Sequence, residues 1–390
     1  MDPSYRQKII ALEAHFPKYA KRSTESLGRK YELKEDPFRT PFERDCHRVL
    51  HSLPFRRLKH KTQVFFSPYN DHICTRMEHS LHVSSISSTI CRRLDLNVTL
   101  AEAIAIAHDL GHPPFGHLGE QAMEMIHKKY NRKNKTNKLP PFSHESQSLH
   151  VIDVFQNSLH EPLNLTFEVR DGVVCHCGEK REKSVRPQYR KNIKSVDIDA
   201  ARIQRPATLE GCVVRMADTI SYLGRDFEDA CIADLIKPED LPSSIQEILG
   251  SNNSQIIGTL ISDLVSNSVG LDYLQFSDAT YAAMLEMKDF NYNSIYFHPK
   301  LIGQKERIYL ILNELFEYFL DILEDRNKLD KIIEGTYPNY PCEVFAQFLK
   351  DMEYSNDTNK GQIVSDFVVG MTDNFTLSCF ERLFHVQAIV

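Results

Sequence analysis

Long apolar runs are missing from this sequence. Although 42% of its 390 residues are hydrophobic, no segment approaches the roughly 18 uninterrupted apolar residues that a membrane-spanning helix needs. The first ten residues, MDPSYRQKII, carry charges at short intervals and predict no secretory signal peptide. We therefore expect a soluble, cytoplasmic protein with no membrane partner.

Cysteine pairs with metal-binding spacing are also missing. Of the nine cysteines only Cys175 and Cys177 lie close together, and Cys175-His176-Cys177 lacks the spacing of a zinc half-site. We interpret the cysteines as reduced, structural thiols. The net charge of -6 argues against a surface that binds nucleic acid over its whole extent, but it permits a local basic pocket.

The sequence contains neither a glycine-rich Walker loop nor a G-x-G-x-x-G dinucleotide turn, and we find no internal repeat. A chain of this kind that handles phosphates must do so with a metal ion and side chains.

Helical periodicity dominates what is present. A stripe of apolar residues at helical spacing predicts a long buried helix, and it comprises Ile308, Ile311, Leu312, Leu315, Phe319, Ile322 and Leu323. Thr99 and Glu102 form a predicted capping box that opens a short apolar helix, which Gly111 would end. The only strand-like segment is Leu163–Val174, and breaks are predicted at 128–142, 178–192, 237–244 and 334–342. The sequence thus predicts an all-α, or mainly α, fold with at most a small β-hairpin.

The segment HDLGHPPFGHLGE (108–120) carries the densest chemistry. His108 and Asp109 sit at the end of an apolar helix and offer one imidazole and one carboxylate to a divalent cation. His79 and Asp218 lie on predicted helices far from this segment, and burying such groups is costly unless they find partners. The ordered set H…HD…D therefore predicts a metal site with Mn, Mg or Fe, with coordination positions left for water or phosphate.

Two further histidines are candidates for proton transfer. His117 and Glu120 are three residues apart at the predicted start of a helix, so their side chains share a face. A histidine paired with a carboxylate suits proton transfer near neutral pH. Three interpretations are open for His144: a further proton carrier, a phosphate ligand, or an ordinary structural histidine. Its position alone favours the last interpretation.

Blocks of sequence in a fixed order run almost to the C-terminus. They are RTPFERD (39–45), HSLPFRRLKHKTQVF (51–65), TRMEHSL (75–81), HDLGHPPFGHLGE (108–120), LNLTFEVRDG (163–172), ADTISYLGRDFEDA (217–230) and GMTDNF (370–375). Together they resemble the deoxynucleoside triphosphate triphosphohydrolases, the dGTPase-like branch of the HD-domain superfamily. We expect a single unit with an HD core at about 50–235 and a helical extension at about 236–390.

The resemblance implies a role for each matching residue. Around the scissile bond it implies four metal ligands and three residues near the α-phosphate, namely His79, His108, Asp109 and Asp218, then His117, Glu120 and His144. For the phosphates of the substrate it implies contacts from His112 and Arg76. It implies a sugar sensor at Gln63, and sugar and base-pocket residues at Tyr222 and Asp226. Lys288 and Tyr296 would contact the phosphate tail and the nucleoside. Some relatives have Asn in place of His112.

The implied reaction is attack of water on the α-phosphorus of a deoxynucleoside triphosphate, with dGTP or several such nucleotides as substrate. The bond to the 5′-oxygen breaks, which releases the deoxynucleoside and inorganic triphosphate. The leaving oxygen needs a proton, for which we favour His117, oriented by Glu120, over His144. Relatives commonly form homo-oligomers, often hexamers, so the resemblance also implies an oligomer.

Two other functions remain open at this stage. The first is an HD-domain phosphohydrolase that acts on another nucleotide, which would need the metal ligands but not the block around Gln63. The second is a protein that senses nucleotides or binds single-stranded nucleic acid, motivated by six Lys or Arg in the eleven residues 128–138. Such a charge run is more often a solvated surface.

Overall fold

The computed structural model describes residues 4–66, 70, 72–155, 161–177, 181–191, 204–336 and 339–385. Side-chain surroundings are described from residue 7 onward. Within these ranges the fold is helical, as the sequence predicts, and the strands form one pair of two-residue segments.

The helices are numbered here in chain order. The first nine are α1 Ser4–Glu13, α2 Pro41–Leu50, α3 Leu53–Arg57, α4 Arg76–Arg93, α5 Val98–Ala107, α6 Gly116–Lys133, α7 His144–Val154, α8 Phe167–Val174 and α9 Leu209–Ile232. The remaining eight are α10 Ser243–Leu249, α11 Asn253–Ser268, α12 Asp278–Asn291, α13 Pro299–Glu324, α14 Arg326–Ile333, α15 Tyr340–Met352, α16 Lys360–Val369 and α17 Asp373–Phe384. A π-helical turn, Tyr292–Tyr296, continues from α12.

Most helices that carry site residues begin at a side-chain cap. Thr75 accepts a hydrogen bond from the amide of Glu78 while the Glu78 carboxylate accepts one from the amide of Thr75, which fixes the first turn of α4. Thr208 caps α9 in the same way with its hydroxyl oxygen, which accepts from the amide of Gly211. These caps fix where each helix starts, and therefore which side chains face the site.

Two local predictions were wrong. The segment Leu163–Val174 is not a strand, because α8 occupies Phe167–Val174 and buries every one of its residues. Tertiary packing overrides its β-propensity, and Gly172 lies so close to Ile104 that an added Cβ would come within 2.6 Å of it. The cap of α5 is Asn97 rather than Thr99, because the Asn97 side chain accepts from the amide of Leu100.

The predicted breaks agree with the structure except at three boundaries, since α10 begins at Ser243 and α15 at Tyr340, inside two of the breaks. Helix α6 runs to Lys133, so the break predicted at 128–142 begins at Asn134. Residues 178–180, 192 and 337–338 of the predicted breaks lie outside the described residues. The stripe in 308–323 lies on α13 and is buried, with Ile311 partly so.

The strands β1 Ser184–Val185 and β2 Leu274–Gln275 pair antiparallel. They come from distant parts of the chain, so they do not form the small hairpin that the sequence allowed. The pair packs on α11 and α9. Neither strand is next to a predicted metal ligand in the sequence.

The described residues form two large apolar cores. The first core joins α2 to α5 and α7 to α12, and the second joins α6 to the C-terminal helices α13 to α17. Each core contains residues from both sides of residue 235, the predicted boundary between the HD core and the extension. The division into these two parts therefore stays a proposal. No helix among the described residues is long and apolar enough to cross a membrane.

Candidate active site

The fold brings the four predicted metal ligands together. His79 lies on α4, His108 and Asp109 follow α5, and Asp218 lies on α9. Nε2 of His79 is 3.0 Å from Oδ1 of Asp218, and Nε2 of His108 is 3.4 Å from Oδ2 of Asp109. The cross distances are 3.9 Å from His108 to Asp218 and 4.0 Å from His79 to Asp109. We call these four residues the HD cluster.

The donor atoms of the HD cluster fit a metal ion. Nδ1 of His108 lies 2.6 Å from the carbonyl oxygen of Ala105, so this nitrogen carries the proton and donates it. The lone pair is then on Nε2, which has no hydrogen-bond partner although it is buried among the described residues. A fixed tautomer with an unpartnered nitrogen beside two carboxylates is the arrangement of a histidine metal ligand.

Both carboxylates of the HD cluster are ionised. Burial by itself raises the pKa of Asp109, but its contacts with His108 and Arg76 outweigh burial and hold that pKa well below its usual range. Burial likewise opposes ionisation of Asp218, yet the hydrogen bond from His79 keeps the pKa of Asp218 low. The cluster therefore presents two negative charges, which attract a divalent cation.

Arg76 stands behind the cluster as the first residue of α4. Its Nη1 donates to Oδ2 of Asp109 at 2.6 Å, and its Nη2 donates to the carbonyl oxygen of Gln63 at 3.3 Å. The side chain is only 2% exposed, so the guanidinium charge is available to the site rather than to solvent. Arg76 thus orients a ligand carboxylate and fixes the segment that carries Gln63.

Gln63 is buried next to the start of α6. Its Oε1 has no hydrogen-bond partner among the described residues. Gly116, at φ +59°, begins α6 directly against it, and an added Cβ on Gly116 would lie 2.6 Å from the carbonyl oxygen of Gln63. Only glycine allows this approach, which places α6 beside the HD cluster.

Glu120 contacts His144 more closely than His117. Nδ1 of His144 is 2.8 Å from Oε1 of Glu120, which also accepts from the backbone amide of His144 at 2.9 Å. Nδ1 of His117 is 3.8 Å from Oε2, which exceeds hydrogen-bond range, and half of the His117 side chain is exposed. The predicted pair therefore shares a helical face, as expected, while the hydrogen bond goes to His144. Burial lowers the pKa of His144, but Glu120 and Glu145 outweigh it and raise that pKa to about 10.

His112 lies between these histidines. Its ring is 4.8 Å from the His144 ring and 5.7 Å from the His117 ring. The side chain is fully buried, and neither ring nitrogen has a hydrogen-bond partner among the described residues. Burial and the charge of Arg76 lower the pKa of His112, so its ring is neutral and has a nitrogen to offer to a ligand.

The predicted nucleoside residues form a row along α9. Tyr222 and Asp226 follow Asp218 by four and eight residues and therefore share its helical face. The hydroxyl of Tyr296, from the π-helical turn, donates to Oδ2 of Asp226. The Tyr296 ring also lies 6.4 Å from the ring of His117. Lys288 is half-buried on α12, one turn before the π-helical turn, and its role stays a prediction.

His176 is the residue that the sequence interpretation missed. It follows α8, is 1% exposed, and lies with its ring 4.8 Å from that of His108. Its Nε2 is 3.3 Å from Nε2 of His144. Burial and the neighbouring His108 and His144 lower the pKa of His176 to about 4, so the ring is neutral. The adjacent cysteines drew the interpretation toward zinc spacing, whereas the ring that contacts His108 is that of the histidine.

The chain is similar to known proteins over most of its length. The HD domain family matches residues 76–223, which contain the whole HD cluster, and a phosphohydrolase-associated domain matches residues 274–382. A deoxyguanosinetriphosphate triphosphohydrolase-like protein of Desulfatibacillum aliphaticivorans is 37% identical over 99% of both chains. Similarly named proteins of Caldanaerobacter subterraneus and Clostridium perfringens are each 34% identical, over 94% of this chain and 91% and 93% of theirs.

The chain belongs to the deoxyguanosinetriphosphate triphosphohydrolase-like family. The family resemblance inferred from the sequence blocks is thereby confirmed. As a family member with an HD domain, the chain is a metal-dependent hydrolase, and the buried group of His79, His108 and Asp109 is able to hold a metal ion.

Proposed function

We propose that this protein hydrolyses deoxynucleoside triphosphates, dGTP among them, to the deoxynucleoside and inorganic triphosphate. The observation that carries the proposal is the row of side chains that leads away from the HD cluster along α9 and ends at the Asp226–Tyr296 hydrogen bond. Eight residues of helix span about 12 Å, a length that suits a nucleoside attached to a phosphate at the cluster. The names of the relatives support the same substrate class.

We assign the metal, Mn, Mg or Fe, to His79, His108, Asp109 and Asp218, because histidine and carboxylate ligands suit all three ions. A divalent cation held there supplies a Lewis acid for an α-phosphate oxygen and an activated water for attack on phosphorus. Arg76 fixes the orientation of Asp109 from behind, and we assign its Nε, which has no partner among the described residues, to a phosphate oxygen. His112, with both ring nitrogens unpartnered, is assigned to another phosphate oxygen.

The 5′-oxygen of the deoxynucleoside is a poor leaving group and needs a proton. We assign this proton to His117, because its exposed ring at the mouth of the site lies near Tyr296 and is held by no close hydrogen bond to Glu120. Catalytic hydrogen bonds are often long before substrate binds and tighten in the reacting complex. Gln63, buried with an unpartnered oxygen, is assigned to the sugar.

A product assay tests the proposal. The Mn²⁺-loaded protein is incubated with each of the four deoxynucleoside triphosphates and with GTP, and nucleosides and phosphates are separated by chromatography. We expect deoxynucleoside and triphosphate as the first products, with GTP a poorer substrate. Orthophosphate, pyrophosphate or a nucleoside monophosphate as first product would contradict the proposal and favour an HD hydrolase of another specificity.

The nucleic-acid alternative receives little support from the basic run. Lys129 and Lys133 form ion pairs with Glu317 on α13, and Lys128 pairs with Glu124. These charges are partly engaged within the chain, so the segment is a surface of α6 packed against the C-terminal helices. Salt-dependent oligonucleotide binding that disappears on removal of the charges in 128–138 would revive the alternative.

A further inference from the structure

A fully buried carboxylate on α16, that of Asp366, binds side chains from three parts of the chain. Its Oδ1 accepts from the side-chain amides of Gln147 and Gln362 at 2.9 and 2.8 Å. Its Oδ2 accepts from the ring of His150 at 2.9 Å and from the hydroxyl of Tyr354 at 2.7 Å. A carboxylate has about four acceptor positions, so these four donors saturate it.

Two of the four donors lie on the same helix, α7. Gln147 and His150 are three residues apart, so their side chains share a helical face. Burial lowers the pKa of His150, but the charge and the hydrogen bond of Asp366 outweigh burial and raise it. Hydrogen bonds between charged partners are among the strongest in proteins. A carboxylate attached at two points along α7 fixes both the rotation of this helix and its position along its axis.

Asp366 therefore links the two apolar cores. Helix α7 belongs to the first core through Val151 and Ile152, whereas α16 belongs to the second core through Val364 and Phe367. The link also joins the two regions that match known families, because α7 lies within the HD domain match and α16 within the phosphohydrolase-associated match. The position of α7 thus depends on a residue of the C-terminal region.

Helix α7 begins with His144, one turn before Gln147. An added Cβ on Gly111 would lie 2.1 Å from the backbone nitrogen of Ser148, so α7 cannot move closer to the loop that follows Asp109. Nδ1 of His144 is 2.8 Å from Oε1 of Glu120. A shift of about 0.5 Å is enough to take this pair out of hydrogen-bond range. A loosened α7 would therefore separate His144 from Glu120.

The ring of His144 carries a positive charge near neutral pH, because Glu120 and Glu145 raise its pKa to about 10 against the effect of burial. It lies 4.8 Å from the ring of His112, which is assigned above to a phosphate oxygen. A cation in a fixed position beside a phosphate stabilises the negative charge that develops in the transition state. The value of this cation to the reaction depends on where α7 holds it.

We infer that Asp366 is a positioning residue for the reaction, which holds α7 through Gln147 and His150 so that His144 faces the phosphate. The inference rests on the proposed function, because it needs a phosphate next to His112 and His144. It gives the C-terminal region a task in the reaction that does not require Asp366 to touch the substrate.

A double-mutant cycle tests the inference. The kcat for dGTP is measured with the Mn²⁺-loaded full-length protein as wild type, Asp366→Asn, His144→Ala and the double variant. Asparagine exchanges one acceptor oxygen for an NH2 group, which should lower kcat about tenfold through loss of hydrogen bonds to α7. His144→Ala should lower kcat about 10²-fold. In the His144→Ala background Asp366→Asn should cause no further loss, whereas the losses of independent residues multiply.

Tyr354→Phe is the matched control, because it removes a hydrogen bond to the same carboxylate and leaves both contacts with α7 in place. Its kcat should equal that of the wild type. Gln147→Met removes a donor from the α7 side, so it should lower kcat in the wild type and leave kcat unchanged in His144→Ala. Circular dichroism checks the fold, and Gln147→Met replaces Asp366→Asn in the cycle if the latter does not fold.

Losses that multiply in the double variant would overturn the inference, because Asp366 would then act on the fold in general. An unchanged kcat in Asp366→Asn or in His144→Ala would overturn it as well, as would an equal loss in Tyr354→Phe. If His144→Ala has no measurable rate, the contrast between Gln147→Met and Tyr354→Phe decides. Wrong products from the wild type would refute the proposed function alone, since the cycle compares rates whatever the product. Multiplying losses with the correct products would refute the inference alone.

Discussion

The two sides of the candidate active site differ in how firmly the fold holds them. The HD cluster lies in and beside α4, α5 and α9, which pack against one another within the first core. The mouth side comprises His117, Tyr222, Asp226 and Tyr296, of which His117 is exposed, the two tyrosines are partly exposed and Asp226 is buried. Half of the His117 side chain is exposed, whereas the His108 side chain is 1% exposed.

This contrast separates two tasks. The HD cluster has its positions set before any ligand binds, because its members are fixed by core packing and by hydrogen bonds to backbone and to Arg76. On the mouth side the hydroxyl of Tyr296 donates to Asp226, whereas His117 lies beyond hydrogen-bond range of Glu120. Metal binding should therefore survive changes at the mouth, whereas turnover should not.

The largest expected effect comes from substitution of Asp109, which lies close to His79, His108 and Arg76. Asp109→Ala should abolish metal binding and reduce kcat/KM by at least about 10⁴-fold, since it removes a ligand and leaves the buried charge of Arg76 unpaired. Metal analysis and a product assay measure both losses. Asp321→Asn, which removes an exposed carboxylate on α13, is the control and should leave both unchanged. Turnover within tenfold of wild type in Asp109→Ala would refute the cluster.

The sequence was sufficient to predict that the four residues of the HD cluster lie together. His79 and Asp218 are polar residues on otherwise core-like helices, and that incompatibility with burial is a local signal that survives without coordinates. The helix stripe of α13 is equally local, because its spacing matches the helical repeat over many residues.

The sequence was insufficient where the outcome depends on which segments pack together. Asn97 and Thr99 are both good caps, and the structure uses Asn97, whose side-chain amide also contacts Glu13 and the carbonyl oxygen of Lys21. Glu120 is three residues from His117 and twenty-four from His144, yet the loop before α7 brings it to His144. His176 has no periodic neighbour to mark it, so only the packing of α8 against α5 reveals its position.

The next largest effect concerns the proton donor. His117→Ala should keep full Mn²⁺ binding and lose about 10²- to 10³-fold in kcat, because a general acid contributes about that much. His117 is exposed, so the variant should also fold normally. The measurements are metal stoichiometry and kcat on the same sample. Loss of metal from this variant would show that metal binding depends on the mouth side as well. An unchanged kcat would show that another group donates the proton to the leaving oxygen.

A pH effect on stability is expected from the mouth side. Burial raises the pKa of Asp226 to about 7, despite the hydrogen bond from Tyr296. The folded state then holds a proton that the unfolded state releases near pH 4, so the free energy of unfolding falls as pH rises from about 4 to about 7. The free energy of unfolding of Asp226→Asn does not fall in this way. Relative to that of the wild type, it should therefore rise by about 2 kcal/mol between pH 5 and pH 8.

Denaturant unfolding at the two pH values measures the gain in Asp226→Asn. Asp321→Asn serves again as the control, because the carboxylate that it removes is exposed. The difference in free energy of unfolding between this variant and the wild type should be the same at both pH values. An Asp226→Asn curve that keeps a constant offset from wild type at both pH values would mean that the buried carboxyl titrates alike in the folded and unfolded chain.

The smallest effect tests how the second core supports the mouth. The buried carboxylate of Asp373, at the start of α17, accepts from the amides of Thr62 and Phe115 at 2.9 Å each. Phe115 has φ +65°, a left-handed conformation that is unfavourable for a bulky side chain, and it directly precedes α6. The two amides donate to different oxygens, and Asp373→Asn replaces one of these oxygens with an NH2 group that cannot accept, so one contact is lost and the segment with Gln63 or the start of α6 should loosen.

We expect about a tenfold loss of kcat in Asp373→Asn with unchanged Mn²⁺ affinity, because only the mouth side depends on these contacts; a lost hydrogen bond to a charged group corresponds to about that factor. Asp373→Ala should lose more, and a partial recovery in Asp373→Glu would indicate that the carboxylate itself positions the two amides. A parallel fall in Mn²⁺ affinity would mean that the two sides of the site are not mechanically separate, because α17 would then support the HD cluster as well as the mouth.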